Sequence, residues 1–176
     1  MASLREKRAD FGRIDVLQFH GNAGNREDRI YWMHIIREGL GCSVTVLDYR
    51  GYGGSEGSPT EKGLIMDGKA AYAWLRERQQ RDIAEAGRRP GERRQVVLWG
   101  ESIGSGVAVA LLDDETTGAD GAPPADTALV LEAGFSSCVD LGANAYPFLP
   151  VRLLLRDRFD SAGRAQKTAE RFGEDA

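Results

Sequence analysis

The stretch Gln95–Val109, QVVLWGESIGSGVAV, limits the possible folds more than any other part of the chain. Four apolar residues, Val96 to Trp99, run straight into Gly100-Glu101-Ser102-Ile103-Gly104. An apolar, partly β-branched run that stops at a glycine predicts a buried parallel strand. The residues from Gly104 to Leu112 are small and apolar, as a helix packed close against a sheet requires. Between the two lies G-x-S-x-G, the pattern of a strand-to-helix turn that holds a serine in a strained conformation with its hydroxyl above the sheet. Glycines two places before and after the serine fit such a turn, because a β-carbon at either place would crowd it. The competing reading is that Ser102 only caps the helix; the strand before it and the helix after it favour the turn.

The rest of the chain repeats the same alternation. Ile14–Phe19 is an apolar run that predicts a strand, ending in His20-Gly21-Asn22-Ala23-Gly24-Asn25. Asn25 can cap a helix to about Leu40, with Ile30, Met33, Ile36 and, as a further candidate, Ile35 turned inward, and Gly39 or Gly41 at its end. Cys42–Asp48 reads as a second strand. The loop Tyr49–Gly57 after it is too glycine-rich for helix or strand, and no Gly-Lys-Ser/Thr follows to make it a phosphate cradle. Asp48 and Arg50 are expected to brace this loop against each other. Ser58-Pro59-Thr60-Glu61 predicts a helix start, with Ser58 at the N-cap and Glu61 reaching back. That helix is expected to reach about Arg81, with Leu64, Ala71, Trp74 and Leu75 on its apolar side and Trp74 in the core.

Ile83–Arg94 reads as a polar connector and Asp113–Asp126 as a surface insertion. Ala128–Leu131 is the fourth strand, and Ser136–Ala143 a helix capped by Ser136 or Ser137. Tyr146–Arg158 is apolar and interrupted by prolines. Residues 1–13 form a polar leading segment, 14–161 one partial domain, and 162–176 a polar tail. Strands alternating with helices predict an α/β fold: a mostly parallel sheet between helices, in three layers. In such sheets reactive groups collect at the carboxyl ends of the strands. Those ends carry His20-Gly21-Asn22, Asp48–Gly57, Ser102 and Glu132–Phe135, which converge on one site.

The net charge of −4 argues against nucleic acid as a main partner. Two cysteines, Cys42 and Cys138, are too few for a disulfide scaffold and suit a cytosol-like compartment. The opening MASLREKRAD has no apolar stretch behind it, so neither a signal peptide nor a membrane span is expected.

Taken in order, HGNAGN, LDYRGYGGSEGSPTEKGL, LWGESIGSG, LEAGFSS and YPFLPVRLLLRDRFDS resemble the alpha/beta-hydrolase superfamily. The branch they are most similar to is that of the membrane-associated serine hydrolases related to monoacylglycerol lipases and serine aminopeptidases. The resemblance spans about Asp15 to Ser161, the middle of that fold. It implies Ser102 as nucleophile and an oxyanion hole made by the backbone N–H of Ile103 and of Asn22 or Ala23. It gives structural roles to His20, Gly21, Asp48, Arg50, Gly51, Gly100 and Gly104. It implies a small ester, lipid or amide substrate, with no cofactor and no metal, and it allows membrane association.

The chain also departs from the family. There the order is serine, acid, histidine, whereas the two histidines here, His20 and His34, both precede Ser102. The resemblance makes His20 a support of the oxyanion loop that faces away from the nucleophile. Glu132 and Asp140 are candidate acids, but they have no histidine to orient. Two readings follow: a truncated serine hydrolase lacking its base and acid, or a non-catalytic pseudohydrolase that binds a ligand or protein partner. A third is a chain completed by another polypeptide. With the neighbouring strands of the family missing, both sheet edges are expected to be bare and to favour self-association.

Overall fold

The computed structural model describes residues 14–87, 94–114 and 126–172. Residues 1–13, most of the Asp113–Asp126 insertion and the end of the polar tail lie outside the described residues. A four-stranded, all-parallel sheet has the order β2-β1-β3-β4, with β1 Ile14–Phe19, β2 Ser43–Val46, β3 Gln95–Glu101 and β4 Thr127–Glu132. The register aligns Leu17, Leu98 and Leu129 across one face, and Gln18, Trp99 and Val130 across the other. β2 and β4 are the edges, as expected.

The first face carries the core. Leu17, Phe19, Val96 and Leu98 pack against α2 (Glu61–Glu85) and α3 (Ile103–Asp114), through Leu64, Tyr72, Leu75, Val107 and Leu111. Burial of side chains of this size stabilises by about 1.5–3 kcal/mol each, which makes this layer the main apolar driving force. On the other face lies α1 (Ile30–Leu40), entered through a short 3₁₀ turn at Glu27–Arg29 and closed by Gly41 in the left-handed conformation. Asn25 accepts the Glu27 N–H through its side chain at 2.8 Å, one residue ahead of the Arg26 N-cap of the 3₁₀ turn, and so does not cap the α-helix. Of the residues expected to turn inward, Met33 is buried, but Ile30 is 63% exposed and Ile35 is exposed as well. Ile30 opens the helix over the rim of edge strand β2, beside Val44 and Val46.

α2 begins two residues later than the sequence suggests. Thr60 is its N-cap, accepting the Gly63 N–H at 3.1 Å, and Ser58-Pro59 leads into it. Glu61 does not reach back, because residues near 158 claim its carboxylate. It accepts the Arg158 N–H at 2.8 Å and faces Arg164 at 3.9 Å, while Asp157 accepts the Glu61 N–H at 2.8 Å. The helix runs on to Glu85, and its buried line is Leu64, Gly68, Tyr72, Leu75, Gln79 and Ile83. That line steps by three and four residues, so Trp74 falls beside it. Trp74 is 46% exposed and stacks under Arg78, which corrects its expected place in the core.

The C-terminal part is more ordered than a polar tail. After α4 (Cys138–Ala145, capped by Ser137) and the short α5 (Val151–Leu154), Ser161–Phe172 forms α6. This helix packs on α3, with Ser161 and Thr168 buried. Phe159, which leads into it, is 3% exposed and its ring lies against Gly106. Few apolar residues mark this helix because small and hydroxyl side chains make the contact. No helix among the described residues is long and apolar enough to cross a membrane.

Candidate active site

Ser102 stands at the corner between β3 and α3 with φ at +51°. A non-glycine residue in that left-handed region is strained by about 1–2 kcal/mol. The corner is held from both sides. Ser102 donates its N–H to the Glu132 carbonyl at 2.9 Å, and its own carbonyl accepts the Ser105 N–H at 2.8 Å. The Ser105 hydroxyl donates to the Gly100 carbonyl at 2.9 Å. A β-carbon on Gly104 would overlap the Phe19 carbonyl, and one on Gly100 would strike the backbone of Gly104 and Ser105. The glycines of the motif therefore let the corner rest directly on the end of β1. Ser102 is not a simple N-cap: its backbone is the bend itself.

The loop after β1 reaches this corner. A β-carbon on Gly21 would lie 3.4 Å from the Ser102 Cβ. Next in sequence, Asn22 accepts a 2.6 Å hydrogen bond from the Tyr52 hydroxyl, which ties the loop to the one after β2. Ile103 is the first residue of α3. N–H groups of a first helical turn have no acceptor within the helix and favour negative charge. A cavity of about 190 Å³ opens here, lined by Asn22, Tyr52, Leu64, Ile103 and Phe159 among others.

His20 is fully buried. Its Nδ1 lies 2.8 Å from the Gly21 carbonyl oxygen, and its Nε2 faces Asp48 at 3.8 Å. Tyr49 and Tyr52 pack on its ring, with centroids at 4.7 and 5.2 Å. The imidazole is thus enclosed beneath the loop. His34 is exposed on α1, beside the β2 edge.

Asp48 and Arg50 do not brace each other, which corrects the expectation from sequence. Asp48 accepts the Arg26 N–H at 2.8 Å and lies against Gly53, so it ties the loops after β1 and β2 together. Arg50 turns to α2 and forks Asp67: Nη2 donates at 2.7 Å, Nε at 3.0 and 3.1 Å, and its backbone N–H at 2.9 Å. Burial alone would raise the Asp67 carboxyl, but these donations outweigh it and hold the group below its ordinary value. Gly51, at φ +76° and against Pro59, closes the same loop by donating to the Glu56 carbonyl.

The candidate acids are engaged elsewhere. Glu132 accepts the Trp99 indole N–H at 3.0 Å. Asp140 accepts the hydroxyls of Ser137 and Ser136 at 2.8 and 2.9 Å, which lower its carboxyl from the ordinary value. The turn after β1 thus meets Ser102 at Gly21, and the loop after β2 joins that turn through the Tyr52–Asn22 bond. The end of β4 contributes the Glu132 backbone carbonyl. The sequence reading passed over two residues, Arg29 and Glu101, which join the β1 loop to the corner by a 2.6 Å ion pair. The signal was present: a carboxylate directly before the serine, at the end of a buried strand, needs a cation nearby.

Comparison with known proteins agrees with this architecture. The family model for the alpha/beta hydrolase fold matches residues 16–175. An uncharacterised protein of Mycobacterium tuberculosis is 42% identical over 149 residues, covering 85% of this chain and 46% of its own length. The alpha/beta hydrolase domain-containing protein WAV2 of Arabidopsis thaliana is 34% identical, over 76% of this chain and 38% of its own. The lysophosphatidylserine lipase ABHD12 of Danio rerio is 36% identical, over 76% and 31%. No solved structure matches the chain. The chain spans less than half the length of these relatives, and its four-stranded sheet is an incomplete version of their fold. With its parallel sheet, G-E-S-I-G corner and glycine-rich loop, the chain belongs to the alpha/beta-hydrolase superfamily.

Proposed function

We propose that this chain carries the nucleophile and oxyanion part of a serine hydrolase acting on carboxylic esters, with lipid esters as the favoured class. The observation that carries this reading is the backbone of Ser102, left-handed at the end of a buried strand and touching the Gly21 loop. In the reaction, the Ser102 hydroxyl adds to the ester carbonyl carbon while a base takes its proton. The carbonyl oxygen becomes negative and is received by the N–H groups of Ile103 and of Asn22 or Ala23. Each such donor is worth a few kcal/mol in the transition state, about 2.7–4 kcal/mol where one has been removed. The lipid preference rests on the lysophosphatidylserine lipases among its relatives.

The base is the element that these 176 residues do not place beside Ser102. Neither of the two histidines in the 176 residues faces Ser102: His20 is enclosed beside Asp48, and His34 lies on α1. A second reading is a pseudohydrolase that keeps the pocket to bind a ligand or protein partner. A fluorophosphonate probe separates the two. Prompt labelling that Ser102→Ala abolishes supports the hydrolase. Failure to label at millimolar probe refutes a serine made reactive by these residues alone and leaves the binding role.

A further inference from the structure

The geometry points to Arg29 as a positioning residue for the oxyanion loop, with Glu101 as its seat. This rests on the reading of Ser102 and its neighbouring amides given above. Arg29 ends the 3₁₀ turn that follows the loop, and its side chain is only 13% exposed. Its guanidinium uses three edges at once. Nε donates to Glu101 Oε2 at 2.9 Å, Nη2 to Glu101 Oε1 at 2.6 Å, and Nη1 to the Ala23 carbonyl at 2.9 Å. The bond to Glu101 raises the affinity of Arg29 for its proton.

Glu101 is the residue directly before Ser102, and Ala23 is one of the two residues proposed to offer the second N–H. A planar, rigid fork therefore couples the corner to the loop through a single side chain. The Ala23 carbonyl is fixed by Nη1, and the Asn22 side chain is fixed by the Tyr52 hydroxyl. The peptide between Asn22 and Ala23 is held between these anchors, and the Ala23 N–H belongs to that peptide. The loop needs such a tie. Gly21 and Gly24 give it conformational freedom, and Gly24 sits at φ +78° against Arg29 itself. A misplacement of about 1 Å in a catalytic donor can lower a rate about a hundredfold. Lysine cannot replace this arginine, because one ammonium cannot form a coplanar fork and a third bond together.

The test compares the wild-type chain with Arg29→Ala, Arg29→Lys and the milder Glu101→Gln. Two readouts are taken: amide hydrogen exchange of residues 21–25, and the rate of fluorophosphonate labelling resolved into probe affinity and maximal rate. Thermal unfolding of each variant corrects for loss of folded chain. We expect exchange of the Asn22–Gly24 amides to rise at least tenfold in Arg29→Ala. The maximal labelling rate should fall about tenfold to a hundredfold with probe affinity little changed. Arg29→Lys should stay within about threefold of Arg29→Ala, since charge alone does not restore the fork. Loop exchange that matches wild type in folded Arg29→Ala and Glu101→Gln would overturn the inference, as would full rescue by lysine. A wild-type chain that does not label, but whose loop loosens in Arg29→Ala, refutes a serine made reactive by these residues alone and leaves the clamp standing.

Discussion

Replacing Ser102 by glycine should make the protein more stable than replacing it by alanine, although both remove the hydroxyl. The backbone at this position is at φ +51°. A residue with a β-carbon is strained there by about 1–2 kcal/mol, and alanine keeps that strain. Glycine relieves it, at a cost of about 0.4–1 kcal/mol in extra freedom of the unfolded chain. The difference leaves Ser102→Gly ahead of Ser102→Ala by about 0.5–1 kcal/mol. For a domain of this size, about 2–4 °C of melting temperature corresponds to each kcal/mol, so the gap should be about 1–4 °C. Urea unfolding of the two variants, followed in parallel by circular dichroism, gives the same comparison at constant temperature. A Ser102→Gly chain less stable than Ser102→Ala would show that the corner is not strained, and the structural case for a poised serine would fail.

Three further outcomes follow from the same contacts. Gly104→Ala places a β-carbon in the Phe19 carbonyl, where only backbone can yield, so it should destabilise by about 3 kcal/mol or more in denaturant unfolding. The Asp67 carboxyl is lower in the folded chain than in the unfolded one, so its contribution is present above its unfolded value of about 3.9 and is lost as pH falls through the folded value. Urea midpoints measured from pH 5 downward should therefore drop less steeply in Asp67→Asn than in wild type. Among the described residues both edge strands lack a further strand beside them, and Val130 on β4 and Leu131 beside it are 37% and 47% exposed. Light scattering after size exclusion should show species larger than monomer, and Val130→Lys should shift them toward monomer.

Much of the fold was legible because short apolar runs end in glycine. Ile14–Phe19 and Gln95–Glu101 could hardly be anything but central strands, and they pair in register from end to end. The two edges, Cys42–Asp48 and Ala128–Leu131, were legible too, whereas the order of the two strands between them was not. The errors arose where partners lie far apart in sequence. Asp48 and Arg50 are two residues apart and of opposite charge, yet Arg50 finds Asp67, seventeen positions on, and Asp48 takes the Arg26 N–H, twenty-two positions back. Glu61 looked like half of a capping box, but Arg158 and Arg164 claim it from the other end of the chain. Trp74 looked fit for the core, but the buried line of the helix passes through Tyr72 and Leu75 and leaves it outside. The Arg29–Glu101 pair spans 72 positions, so the carboxylate before the serine calls for a cation without saying which one. The serine corner was the most legible feature, because its glycines are demanded by backbone contacts that no other residue permits.

The central claim is that Ser102 faces the amides of Ile103 and of the loop at residues 22–23. A crystal structure of the chain after reaction with a small fluorophosphonate tests it most directly. One adduct is expected, on Ser102 Oγ, with the phosphoryl oxygen within hydrogen-bond distance of the Ile103 N–H and of the Asn22 or Ala23 N–H. An adduct on another residue, or a phosphoryl oxygen turned to solvent away from both amides, would contradict it.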